Sequence, residues 1–269
     1  MSTNKQYNTT QLNPDTTFER HVYHRDQFAH YLRWTHALKR LRLNQAVLDW
    51  GCGSGNMLEV MYRNRYKGEV YCGLDVRAQT INKANEKFHM VDWAEFLVRD
   101  LCSLDGVDLE QKSKTTWDMI ICFEVIEHIG KEKAPQFLRN MIAHATPSTT
   151  ILLSTPNYDE NTGAAANHVI NGEICEFTYK ELKDLLGQFF VIEEQYGTFA
   201  SQRDYKIFMN DWQQKFYEEA SKYWDSNLLS NIMAPMFPEY SRNTLWVMKK
   251  KPATVEELCQ WQKHIGLIP

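Results

Sequence analysis

The sequence predicts an α/β fold with an open, mostly parallel sheet, on three observations. From residue 46 onward, apolar runs of strand length alternate with stretches of helical spacing. The first run, Ala46-Val47-Leu48, passes through Asp49 into glycines at 51, 53 and 55 and then into a helical pattern. Four runs close on an acid: Asp49, Asp75, Asp100 and Glu124. Ligands of open α/β sheets bind outside the carboxyl ends of the strands, so these four carboxylates converge on one crevice.

Residues 1–17 are polar and aperiodic and are expected to be mobile, leaving 18–269 as a single domain with insertions at 158–177 and 198–242. Val22, Phe28, Tyr31, Leu32, Trp34, Leu38 and Leu41 recur at helical spacing, which predicts one or two helices over 18–41. After the glycines, a helix over 57–66 leads to a strand over 69–76, and a helix over 78–88 leads to a strand over 95–101. A polar loop at 112–116 precedes the apolar core 119–123, a central strand buried on both faces. A helix over 133–145 and a strand over 149–154 follow, then Thr155-Pro156-Asn157. Residues 158–174 read as a long loop. Thr178 and Glu181 form a capping box for the next helix, with strands at 191–194 and 244–249 beyond it and a last helix over 255–265. Between those strands, ten aromatic residues in 198–242 suit a substrate lid, a subunit contact or plain core.

Net charge is −4, with both signs interspersed, so composition supports no polyanionic partner. Six cysteines without a C-x-x-C pair read as reduced residues of a cytoplasmic protein. No apolar run is long enough to span a membrane. His21, His24, His30 and His36 fit no common metal spacing.

Glycines after a strand let a ligand approach the main chain and the amides that open the next helix, which points to a nucleotide-like cofactor. Dinucleotide spacing fails, because Asn56 and Leu58 stand where the third glycine is needed. What remains is D-x-G-x-G-x-G, with Asp75 closing the next strand. These motifs, with Asp100, F-E-V-I-E-H and L-S-T-P-N, resemble the class I S-adenosylmethionine-dependent methyltransferases over residues 46–195. The resemblance implies a doubly wound, Rossmann-like sheet of seven strands, the last antiparallel. It also implies S-adenosylmethionine as cofactor, with Gly51, Gly53 and Gly55 at the methionine end, Asp75 on the ribose and Asp100 at the adenine amino group. Asp49, Val76, Leu101, Phe123 and Glu124 are expected to line the same site. Arg33, on the leading helix, either meets the methionine carboxylate or lies on a solvated face.

Two subgroups share E-V-I-E-H and T-P-N: the O-methyltransferases of ubiquinone biosynthesis, and the small-RNA 2′-O-methyltransferases, which hold a divalent metal on two glutamates and two histidines. The histidine that the RNA enzymes place just before F-E-W-T is missing from C-E-F-T-Y, and His168 lies eight residues upstream of Glu176. Two catalytic arrangements follow. In one, Glu124, Glu127 and His128 share a helix face and, with His168 if its loop folds back, hold magnesium or manganese. In the other there is no metal: Glu124 lies near the cofactor, Glu127 is solvated or capping, and His128 is the base. A small-molecule or sugar hydroxyl is the expected acceptor. Nucleic acid is the second reading, and a cofactor-binding protein without catalysis is the third. Oligomeric state is not legible.

Overall fold

Strands whose residues are all apolar must be covered on both faces, and this requirement builds the molecule. The computed structural model describes residues 25–109, 116–161, 163, 166–198 and 205–252. Helix α1 (Arg25–Leu38) leads into β1 (Ala46–Trp50), followed by α2 (Asn56–Arg63), β2 (Val70–Asp75), α3 (Ala78–Lys87) and β3 (Ala94–Val98). Then come β4 (Met119–Phe123), α4 (Ala134–Ala143), β5 (Thr150–Pro156) and a small hairpin, β6 (Val169–Ile170) and β7 (Glu173–Ile174). The chain closes with α5 (Tyr179–Phe189), β8 (Phe190–Gly197), α6 (Asp211–Ala220), α7 (Ser226–Met233) and β9 (Asn243–Lys250).

Seven strands form one sheet in the order β3-β2-β1-β4-β5-β9-β8, all parallel except β9, which runs antiparallel to both neighbours. Alternate side chains feed opposite faces. Leu48, Trp50, Ile120 and Cys122 join Phe137 and Leu138 of α4 in one core layer. Val47, Met119 and Ile121 join Met57, Leu58 and Met61 of α2 in the other. The switch point, where strand order reverses, lies between β1 and β4, so the glycine turn after β1 and Glu124 after β4 are neighbours by topology.

The helix expected within 18–41 is α1, and the capping box is present: Thr178 Oγ1 accepts from Glu181 N, and the Glu181 side chain accepts from Thr178 N. Strand β3 stops at Val98, so Asp100 stands beyond the strand end instead of closing it. The stretch expected to be loop over 158–174 contains the β6–β7 hairpin. Its turn, Asn171-Gly172, has both residues at positive φ (53° and 85°), the geometry that a tight two-residue hairpin turn demands. The aromatic insertion divides: Tyr205, Met209, Met233 and Phe237 form a small core of their own, while Trp212, Tyr223 and Trp224 face solvent. Among the described residues no helix is long and apolar enough to cross a membrane. Five cysteines there are free, four of them buried. The expected mobile start at 1–17 and the last helix at 255–265 lie outside the described residues.

Candidate active site

The turn after β1 is tied to the end of β2: Gly51 N and Cys52 N both donate to Leu74 O, at 2.9 and 2.8 Å. Gly51 (φ 92°) is packed so closely that a Cβ would lie 2.4 Å from Val125. Gly53 (φ 54°) is the opposite case, since a Cβ there would meet nothing within 4 Å. Its backbone borders open space, as a cradle for a ligand does, and its N–H points to Asp75 Oδ2 at 3.1 Å. Asp75 also accepts from Arg77 N at 2.9 Å and pairs with the Arg77 guanidinium at 3.1 Å. Because the Arg77 side chain is mostly exposed, it can leave that carboxylate to a ribose at little cost. These residues fit the cofactor that the resemblance implies.

The other strand-end acids differ from one another. Asp49 lies inside β1, not at its end, and takes the hydroxyl of Tyr71 from β2. Burial pushes its pKa up to about 7, the Tyr71 hydrogen bond pulls it down, and the charge of Asp75 adds to the rise. Asp100 caps its own turn by accepting from Cys102 N at 2.9 Å. Of the smaller expected contacts, Val76 is exposed, Leu101 buried and Phe123 half-buried.

Glu124 is the hub. It adopts φ 57°, the left-handed region that non-glycine residues avoid, directly after β4. One carboxylate oxygen meets Arg33 Nη1 at 2.8 Å and the Ser154 hydroxyl at 2.8 Å; the other accepts from Asn243 Nδ2 at 2.6 Å. Strands β5 and β9 and helix α1 thus converge on one side chain. Arg33 is only 3% exposed, which overturns the solvated-face alternative, and its buried Nε has no hydrogen-bond partner among the described residues. A carboxylate arriving at the methionine end would find that donor waiting. Arg33 Nη2 meets His30 Nδ1 at 2.8 Å, and burial, then the charge of Arg33, hold His30 down at about 3, so His30 is neutral.

The residues after Glu124 do not open an α-helix. Ile126–His128 is a single 3₁₀ turn, so Glu124, Glu127 and His128 do not share a face. Glu127 turns inward, 1% exposed, and accepts from the Thr155 hydroxyl at 2.9 Å. It is therefore neither solvated nor capping, and burial, reinforced by Glu124, holds its pKa well above the carboxylate range. His128 turns outward; partial burial and the charges of His168 and Arg77 lower its pKa, so its imidazole is neutral at pH 7.

His168 is brought back to this cluster by the hairpin. Cys175 N donates to His168 O at 2.9 Å, which aligns the residues that flank β6 and β7. The His168 ring meets the His128 ring edge-on, with centroids 4.3 Å apart. Its Nδ1 lies 2.7 Å from Oε1 of Glu176, a side chain with no exposure at all. Glu176 stands in the C-E-F-T-Y stretch, yet sequence reasoning assigned it no role. The signal that could have found it is Asn171-Gly172 between V-I and E-I, the mark of a two-residue hairpin.

The expected metal set of Glu124, Glu127, His128 and His168 is not gathered. Among the described residues, no three His, Cys, Asp or Glu side chains converge as ligands. Arg33 occupies Glu124, and Thr155 occupies Glu127. Of the four, the two histidines touch, and Glu124 lies near enough to Glu127 to raise its pKa.

A cavity of about 330 Å³ opens between the end of β5, the start of α5 and the turn at Glu239, and its lining includes none of these four residues. Asp159, Glu160, Glu181, Asp184 and Glu239 line it against a single cation, Lys180. Tyr158, Tyr179 and Tyr240 supply aromatic walls.

A family model described as a methyltransferase domain matches residues 23–191. A small RNA 2′-O-methyltransferase of Arabidopsis thaliana is 30% identical over 134 residues, covering 48% of this chain and 14% of that protein. A ubiquinone biosynthesis O-methyltransferase of Rickettsia canadensis is 27% identical over 112 residues, covering 41% of this chain and 42% of the relative. The chain thus spans less than half the length of either relative. Among solved structures, the N-methyltransferase NodS of Bradyrhizobium japonicum, in complex with S-adenosyl-L-homocysteine, superposes with a TM-score of 0.51 at 12% identity. That superposition covers 85% of this chain and 87% of that one, and it shows a shared fold.

Proposed function

Because this chain belongs to the class I S-adenosylmethionine-dependent methyltransferases, we propose that it methylates a hydroxyl group of a small molecule or sugar. The observation that carries this reading is the acid-lined cavity next to β5. Two of its five carboxylates are paired with lysines, Glu181 with Lys131 and Asp184 with Lys180; the other three disfavour a phosphate backbone, while three tyrosines suit a compact, uncharged or cationic acceptor.

The bound cofactor supplies a methyl group on a sulfonium centre. The chain's own residues do the rest. Gly53 leaves room for the donor, Asp75 takes the ribose hydroxyls once Arg77 yields, and Arg33 receives the carboxylate. Glu124 fixes Arg33, Ser154 and Asn243 relative to one another, so donor and acceptor sides stay in register. The imidazole of His128, or that of His168 edge-on to it, takes the hydroxyl proton.

A second reading, 2′-O-methylation of RNA, is supported by the His128–His168 pair and by the identity to the Arabidopsis relative. It asks Glu124 to exchange Arg33 for magnesium or manganese and Glu127 to leave Thr155. Radiolabelled donor, offered with catechol, a sugar panel or single-stranded RNA, before and after exhaustive chelation, separates the two. The expected result is label on a small hydroxyl compound that survives chelation. Label on RNA alone that vanishes in chelator would install the second reading.

A further inference from the structure

Glu176 is wholly buried, and a single oxygen, Oε1, receives Asn167 N at 2.8 Å, His168 N at 2.7 Å and His168 Nδ1 at 2.7 Å. Two of these partners are backbone N–H groups, which only donate, so Oε1 is an acceptor and Nδ1 of His168 carries the hydrogen. In the neutral ring, Nε2 of His168 is then the bare nitrogen. The second oxygen, Oε2, is buried with no hydrogen-bond partner among the described residues. A glutamine would satisfy the same three donors without a buried carboxyl group, so holding the hairpin closed does not account for the residue present. A carboxylate beside an imidazole has a different use, because it stabilises the imidazolium that forms when the ring accepts a proton.

We propose that Glu176 is a positioning residue of the methyl-transfer centre, holding His168 with its Nε2 lone pair free to take the proton of the acceptor hydroxyl. The inference rests on the hydroxyl-methylation reading above. As the oxygen–methyl bond forms from an oxygen lone pair, the sulfur–methyl bond breaks with its electron pair left on sulfur. The hydroxyl proton passes to Nε2, and the imidazolium stays against Glu176. His128, edge-on to His168, walls the ring from the other side.

Two measurements test this on the full chain. Nitrogen-15 NMR at about pH 8, with His168 assigned by its loss in His168→Gln, reads the tautomer directly. The expected form is Nδ1–H with a bare Nε2; an Nε2–H form in the wild type would overturn the proposal. With catechol as acceptor, Glu176→Gln should lower kcat by at least about tenfold, with KM for the donor unchanged within about twofold. An undiminished kcat would equally overturn it. If the wild-type protein leaves catechol unmethylated, the acceptor reading fails on its own, and the tautomer still decides the role of Glu176.

Discussion

Asp49 carries a raised pKa, and its sign has a measurable effect on stability. The unfolded chain releases this proton near the ordinary value of 3.8, whereas the fold holds it to about 7. Between those limits the folded state binds more protons than the unfolded one, so stability from this group is full below pH 4 and is lost as pH rises toward 7. Chemical denaturation at about pH 5 and pH 8 should show wild-type stability falling across the interval and Asp49→Asn falling less. Equal slopes would remove the buried carboxyl as the cause. The sequence placed Asp49 at the strand end in contact with cofactor. Its claim by Tyr71 depends on β1 and β2 lying side by side in register, which no local pattern reports. The place of Glu127 was not legible for a related reason: E-V-I-E-H is compatible with an α-helix, whereas Glu124 at positive φ is followed by a 3₁₀ turn in which Glu127 is buried.

Elements whose signals are local were legible. Thr178 and Glu181 cap α5 as their spacing predicted, and Glu181 also pairs with Lys131 at 2.9 Å. Thr178→Ala should lower unfolding free energy by about 1 kcal/mol, read by urea denaturation, because an amide of the first turn loses its acceptor. No change would mean that water replaces the cap. The same replacement should loosen one wall of the acid-lined cavity, since α5 begins there. The β6–β7 hairpin also had a local signal, but its strands are two residues each and lie in a stretch rich in Asn, Gly and Ala, where no alternation could develop.

At the scale of the whole molecule, the seven-stranded, doubly wound sheet and its antiparallel last strand followed from the family resemblance, whereas the strand order comes from the structure. The docking of α1 did not follow from it either, because it depends on long-range pairs: Arg33 with Glu124, Arg40 with Glu194, and the His36 ring against Tyr196. If Arg33 receives the donor carboxylate, S-adenosylhomocysteine at a hundred times its Kd should stabilise the wild-type protein by about 2.7 kcal/mol. Arg33→Met should show a clearly smaller thermal shift at the same concentration, and an equal shift would exclude that contact. Glu124 sits where this whole assembly meets, in a backbone conformation that costs an ordinary residue about 1 kcal/mol or more. Glycine or asparagine would rest there without that cost. A library of variants sorted for heat resistance alone should therefore enrich for replacement of this one residue, and in doing so discard the hub that joins α1 to β5 and β9.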